Sequence, residues 1–191
     1  IAGGGDQPVG ATGTGVVKEG QVMVSLGTSG VIFAPTSKAH VAGEYGMASF
    51  DHAVPGVSYL MGCVISTAGA LQWYVDTLCE QEKARAKRKK TSVFEMVLDT
   101  AAETPIGADD LIFLPYLMGE RTPHNNPDAR GVFFGLSTSH TKAHMTRALI
   151  EGVTFALRDN LEIVKKAKVK IKEIRVTGGG ARSPFWMQTL A

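Results

Sequence analysis

Cysteine is scarce in this sequence: Cys63 and Cys79 are the two such residues in a chain of 191. They lack CxxC spacing, stand in apolar surroundings and follow nothing that resembles a secretory signal, so reduced thiols that fill core space, in a cytoplasmic protein, are expected. Long apolar runs are missing as well, and no stretch approaches the ~20 residues that cross a bilayer. Charge of one sign is not in excess. Lys and Arg number 20 against 18 Asp and Glu, a formal net charge of +2, which argues against nucleic acid or an anionic membrane as the main partner and favours a small ligand. What is present is a globular composition, 44% hydrophobic and 20% charged. At this length it fits one domain or one lobe, able to bury about 70% of its unfolded surface. The chain opens at Ile1 without an initiator Met and stops at Ala191 inside a helical pattern, so a fragment cut at both ends is expected.

Glycine is abundant, 22 residues, against an average share of about 7%. The glycines cluster. Gly13 to Pro35 alternates β-branched runs with turn signals and predicts an antiparallel meander that includes Gly15-Val-Val, Gln21 to Leu26 and Val31 to Pro35. A second strand pair is expected at Met47 to His52 and Val57 to Val64, joined at Pro55-Gly56. Helical spacing then predicts a helix over Thr67 to Glu80 and another from Ser92, where Ser92-Val-Phe-Glu95 has capping-box spacing. Leu111 to Pro115 suits a buried strand, Gly119 to Arg130 a polar loop and Gly131 to Leu136 a further strand. Met145, Leu149, Val153, Ala156, Leu157, Leu161 and Val164 form one stripe of a long helix over Thr141 to Ala167. Ile171 to Val176 reads as a strand, Thr177 to Ala181 as a Gly-rich loop, and Ser183-Pro184 as the cap and first position of a last helix.

Three Gly-rich turns could carry chemistry: Gly3 to Asp6, Gly27-Thr-Ser-Gly30 and Gly178-Gly-Gly-Ala181. In the second, glycine permits a tight turn while N–H groups and the Thr28 and Ser29 hydroxyls can bond phosphate oxygens; a plain hairpin turn is the simpler reading. Its place between two strands and the absence of a Gly-Lys pair exclude a P-loop, and Gly13-Thr-Gly15 lacks the third glycine of a dinucleotide fingerprint. Gly178 to Pro184 joins a strand to a helix start, where a nucleotide can lie against glycine backbone or where a tight connection is all that is needed. Asp6 by itself is a turn carboxylate; in a suitable cleft it can accept a hydroxyl proton during phosphoryl transfer. His140 and His144 are four apart but have no acidic partner in sequence and read as a surface helix start. The basic run from Lys83 to Lys90 reads as a solvated loop.

Taken in order, these segments resemble the C-terminal lobe of the FGGY carbohydrate kinases. The likeness rests on Gly131-Val-Phe-Phe-Gly-Leu136, seven residues, then His144-Met-Thr-Arg-Ala-Leu-Ile-Glu151. Ala2 to Asp6, Ser25 to Gly30, Gly69-Ala-Leu-Gln-Trp73, Leu114 to Pro123 and Gly178 to Ser183 extend it across the chain. The resemblance implies an α/β lobe of the actin, hexokinase and Hsp70-like (ribonuclease H-like) class, a mixed sheet with flanking helices. It implies that residues 1–12 carry the catalytic base between two lobes and that an N-terminal lobe is absent from this chain. It implies Asp6 as that base and Gln7 as a sugar contact, Gly27, Thr28 and Ser29 as the hairpin for ATP phosphates, Gln72 as a nucleotide contact, and Gly179, Gly180 and Ala181 as the adenosine turn. ATP with Mg²⁺ is the implied cofactor pair, and an open-chain sugar is the implied substrate, D-xylulose ahead of glycerol, ribulose, gluconate or fuculose. A homodimer is a further expectation, and the fragment alone is expected not to turn over. A non-catalytic nucleotide-binding module is the competing reading, against which Asp6 and Gln7 speak. The roles of Arg121, His124 and Arg130 stay open.

Overall fold

The computed structural model describes residues 4–38, 43 and 46–191. Gly3 and the residues before it in the first Gly-rich motif lie outside them. In chain order the elements are α1 (Asp6–Gly13), β1 (Gln21–Leu26), β2 (Gly30–Thr36), β3 (Ala48–Asp51), β4 (Ser58–Val64), α2 (Ala68–Leu78), α3 (Glu80–Lys89), α4 (Val93–Ala102), β5 (Ile112–Leu114), β6 (Val132–Phe134), α5 (Lys142–Lys166), β7 (Glu173–Thr177) and α6 (Pro184–Leu190).

Among the described residues, five strands form one mixed sheet in the order β3-β4-β2-β1-β7, with β7 parallel to β1 and every other pair antiparallel. The register places Met23 opposite Phe33 and Gly30 opposite Val64. β2 lies mid-sheet and is buried at every position, which is why its sequence is a continuous apolar run and not an alternation. The period-2 rule still sorts β1: Val22, Val24 and Leu26 enter one core with α2, α4, α5 and α6, while Met23 enters a second core with Phe33, Tyr59 and Ala11 of α1. The sheet therefore has α1 on one face and the helical layer on the other. The central helix of that layer is α5, whose buried stripe holds Leu149, Val153, Leu157 and Val164. No helix of the described residues is long and apolar enough to cross a membrane.

Several expectations are corrected. Asp6 opens a helix, α1, where a turn was expected; Gly10 and Gly13 lower its intrinsic propensity by about 1 kcal/mol each and so hide it from a sequence reading. Burial of Ala11 against the sheet holds it in place. Gly15-Val-Val is not a strand: Val16 fills the second core from the connection between α1 and β1. The helix expected to reach Glu80 breaks at Cys79 (φ −112°, ψ 43°), and the basic run that follows is the helix α3. Glu80 and Glu82 in the first turn of α3 and Lys87, Arg88 and Lys89 in its last complement the helix dipole. Only Ala86 of that helix is buried, so the solvated face was legible and the helical period was not. Leu111 to Pro115 is half-buried: Phe113 packs inward while Ile112 and Leu114 are exposed. The Ser92 cap, with its hydroxyl accepting from the Glu95 N–H, and the Ser183-Pro184 start of α6 form as expected.

Candidate functional site

The hairpin between β1 and β2 is anchored from below by a helix. Gly27 O accepts the Ala68 N–H at 2.9 Å, and Thr28 O accepts the N–H groups of Thr67 at 2.9 Å and Gly69 at 3.0 Å. These are the donors that a helix start leaves unpaired, so α2 and the hairpin satisfy one another. Gly69 permits the approach, since a Cβ there would stand 3.0 Å from Thr28 O and 3.1 Å from Thr28 Cγ2. Thr28 is exposed on the cavity wall above this anchor.

The opposite wall starts where β7 ends. Gly178 has φ 93°, in the left-handed region, and a Cβ on it would lie 2.6 Å from Leu26 O, so only glycine lets this turn close on the end of β1. The 3₁₀ turn Gly179–Arg182 follows. Gly180 is buried, its Cα facing Leu26 and the Trp186 ring, whereas nothing lies within 4 Å of a Cβ built on Gly179. The glycine run thus splits its work between packing and leaving an open floor. Ser183 Oγ then accepts the Trp186 N–H at 3.2 Å and starts α6.

Between these walls lies a cavity of about 1140 Å³ lined by Thr28, Gly179 and Gly180 together with side chains of α2 and α4. Its volume lies somewhat above the roughly 300–1,000 Å³ of typical small-molecule and cofactor clefts, so a nucleotide has room in it. Trp73, Phe94 and Leu98 supply apolar surface for a flat ring. Gln72 Nε2 donates to Asp76 Oδ2 at 2.6 Å, and Lys83 Nζ reaches Asp76 Oδ1 at 3.4 Å. The Gln72 hydrogen bond, with the Lys83 ammonium behind it, holds the Asp76 carboxyl below the usual carboxylate range. Ser66 also lines the cavity, and its buried hydroxyl has no hydrogen-bond partner among the described residues.

Four of the residues expected from sequence, Thr28, Gln72, Gly179 and Gly180, converge on this cavity. The others do not line it. Gly27 serves through its carbonyl, and Ser29 lies near Cys63, whose thiol burial pushes above its ordinary range. Ala181 bonds back to Gly178 O at 3.3 Å within the turn. Asp6 and Gln7 stand at the start of α1, outside the set of residues that line the cavity; Asp6 Oδ1 accepts the Gln7 N–H at 2.9 Å and its side chain is exposed. Its charge acts with burial to raise the Tyr59 hydroxyl above its ordinary range.

Sequence reasoning missed Ser66, the aromatic pair Trp73 and Phe94, and the buried Glu120 of the polar loop. Glu120 Oε1 accepts the N–H groups of Ile65 at 3.1 Å and Arg121 at 2.7 Å, while burial pushes its carboxyl up against the pull of those two donors. The signal was the acid inside the Gly119-Glu-Arg-Thr-Pro123 motif, but nothing in one dimension tells a buried acid from an exposed one. Among the described residues no group of three His, Cys, Asp or Glu could hold a metal ion, and Cys63 and Cys79 are free thiols. His140 and His144 meet Asp109 instead, His140 Nε2 at its backbone oxygen at 3.0 Å and His144 Nε2 at its carboxylate at 3.1 Å.

Residues 22–191 match the FGGY family of carbohydrate kinases, C-terminal domain. A xylulose kinase of Escherichia coli (strain K12) is 42% identical over 191 residues, which is 100% of this chain and 37% of that protein. A gluconokinase of Bacillus licheniformis is 35% identical over 193 residues, again 100% of this chain and 37% of that protein. The crystal structure of xylulose kinase from Rhodospirillum rubrum superposes with a TM-score of 0.87 at 32% identity, covering 100% of this chain and 36% of that one. The expected α/β, actin- and hexokinase-like lobe is the observed fold, and the chain spans little more than a third of the length of these relatives.

Proposed function

We propose that this chain, which belongs to the FGGY family of carbohydrate kinases through its C-terminal domain, is the nucleotide-holding lobe of an ATP-dependent kinase that converts D-xylulose to D-xylulose 5-phosphate. The observation that carries the reading is the convergence of Thr28, Gln72, Gly179 and Gly180, drawn from three separate segments, on one cavity of nucleotide size. Thr28 meets the ATP phosphates from the cavity wall, with Gly27 and Ser29 shaping the hairpin that carries it; Gln72 and the open floor at Gly179 take the adenosine, with Gly180 and Ala181 shaping the turn and Trp73 and Phe94 offering apolar faces. Mg²⁺ would be held chiefly by the nucleotide's own phosphate oxygens, neutralising their charge. Asp6 accepts the proton of the terminal sugar hydroxyl as its oxygen attacks the γ-phosphorus and the bond to the ADP oxygen breaks, and Gln7 orients the sugar. Residues 1–12 are the segment between the lobes.

The complete enzyme acts in the cytoplasm, in keeping with the two free thiols of this chain, and pairs as a homodimer for which the exposed Ile112, Val132 and Phe134 of the β5–β6 ribbon offer apolar area. A second reading keeps the reaction and changes the sugar, supported by the likeness to a gluconokinase. Coupled measurement of ADP release by the complete enzyme carrying this chain, with D-xylulose, D-gluconate and glycerol in parallel, separates the two. Xylulose-dependent release is expected. Turnover on gluconate alone would replace the substrate, and failure to bind ATP would sink the kinase reading.

A further inference from the structure

Glu120 is 2% exposed and lies in the loop for which the sequence offers no role. Its Oε1 takes the Ile65 and Arg121 amides, and its Oε2 is buried without a partner among the described residues. Two residues on, Thr122 Oγ1 accepts the Cys63 N–H at 3.3 Å and donates to Gly46 O at 3.1 Å, while the Thr122 N–H donates to Cys63 O at 3.2 Å. Asn160 of α5 holds Thr122 O from behind at 3.0 Å. A carboxylate and a hydroxyl from one loop thus staple the end of β4 over residues Cys63 to Ile65.

That strand end has a second neighbour. Val64 pairs with Gly30 and Cys63 with Val31 of β2, directly after the hairpin. Directly after Ile65 come Ser66, whose hydroxyl has no partner among the described residues, and the amides of Thr67, Ala68 and Gly69 that grip Gly27 O and Thr28 O. From Glu120 to the hairpin every link is a hydrogen bond or a peptide bond, with no flexible side chain between.

We propose that Glu120 is a positioning residue for phosphoryl transfer: through the Ile65 amide it sets the β4–α2 turn and, through that turn, the phosphate hairpin Gly27 to Ser29. Glu120 itself touches neither nucleotide nor sugar. This inference rests on the kinase reading above. A misplacement of about 1 Å far from the reacting atoms can lower a rate about 100-fold, which is the lever such a support controls.

The test is kcat and KM for ATP in the complete enzyme carrying Glu120→Ala, Glu120→Gln or Thr122→Val, measured well below each variant's melting temperature. Glu120→Ala, which leaves two amides without an acceptor, is expected to lower kcat by about 10- to 100-fold and to raise KM for ATP. Glu120→Gln keeps the acceptor and restores both values toward those of the unsubstituted enzyme. Thr122→Val removes the second staple and shifts both parameters in the same direction as Glu120→Ala. Unchanged kcat and KM in folded Glu120→Ala, or in Thr122→Val should the alanine variant not fold, would overturn the proposal while the kinase reading stands. Absence of ATP binding by the unsubstituted enzyme would remove that reading first, and this inference with it.

Discussion

Arg147 and Glu151 form an ion pair inside the protein, Nε to Oε1 at 2.6 Å, one turn apart on α5. The pair is part of a clamp. Glu151 Oε1 also accepts the Gly107 N–H at 3.1 Å, and Arg147 Nη1 donates to Thr104 O at 3.3 Å, so α5 holds the connection between α4 and β5. The guanidinium carbon lies 5.0 Å from the centre of the Phe185 ring of α6. Both residues belong to the motif that carries the family resemblance, and their visible work is structural.

Removing one partner of a buried pair strands the other charge, so Glu151→Ala is expected to destabilise the chain by about 3–5 kcal/mol. Chemical denaturation of the variant checks this, and a loss within 1 kcal/mol of an exposed pair's worth would show that the clamp is not needed.

Gly69→Ala should weaken nucleotide binding by about tenfold, equivalent to about 1.4 kcal/mol, while sparing the fold. The added Cβ would stand 3.0 Å from Thr28 O, and the hairpin must move to relieve it. Titration calorimetry with ATP reads the change; equal affinity would mean that the hairpin does not depend on its seat on α2.

Asp6→Ala in the complete enzyme is expected to lower turnover by about 10²–10⁴-fold, or about 3–5 kcal/mol of barrier, with nucleotide affinity nearly intact. Asp6 stands away from the nucleotide cavity, which is why the two effects separate. Unchanged turnover would return Asp6 to the role of a helix-start carboxylate.

Glu120 makes stability depend on pH in a defined direction. Burial raises its folded-state carboxyl above the ordinary 4.5, so its favourable contribution is complete below about that pH and is lost as pH rises through the folded value. Gln cannot ionise. The melting temperature of Glu120→Gln relative to the unsubstituted chain should therefore climb as pH rises above 4.5 and level off once pH has passed the raised folded value. A difference that stays flat with pH would mean that this carboxyl does not titrate differently on folding.

Where the hydrophobic period was long, the sequence announced the element. α5 was legible within a residue at each end because Leu149, Val153, Leu157 and Val164 recur on one face, and β2 because burial on both faces demands an unbroken apolar run. α1 and α3 were not, for opposite reasons. The first carries glycines and a proline and is held by contact with the sheet; the second is almost wholly solvated and lacks an apolar stripe.

The same division runs through the site. Local chemistry marked Thr28, Gly179 and Gly180, since tight turns and close backbone approach require glycine and small hydroxyl residues wherever they occur, whereas Gln72 was marked only by the family resemblance. Tertiary structure alone decided that these positions share a cavity that Asp6 and Gln7 do not line, because strand order and the seat of the hairpin on α2 are long-range relations. It alone decided, too, that Glu120 is buried. Burial is a property of the surroundings, and the groups that desolvate Glu120 and bond to it include Ile65, distant in sequence and adjacent only once β4 and the loop have met.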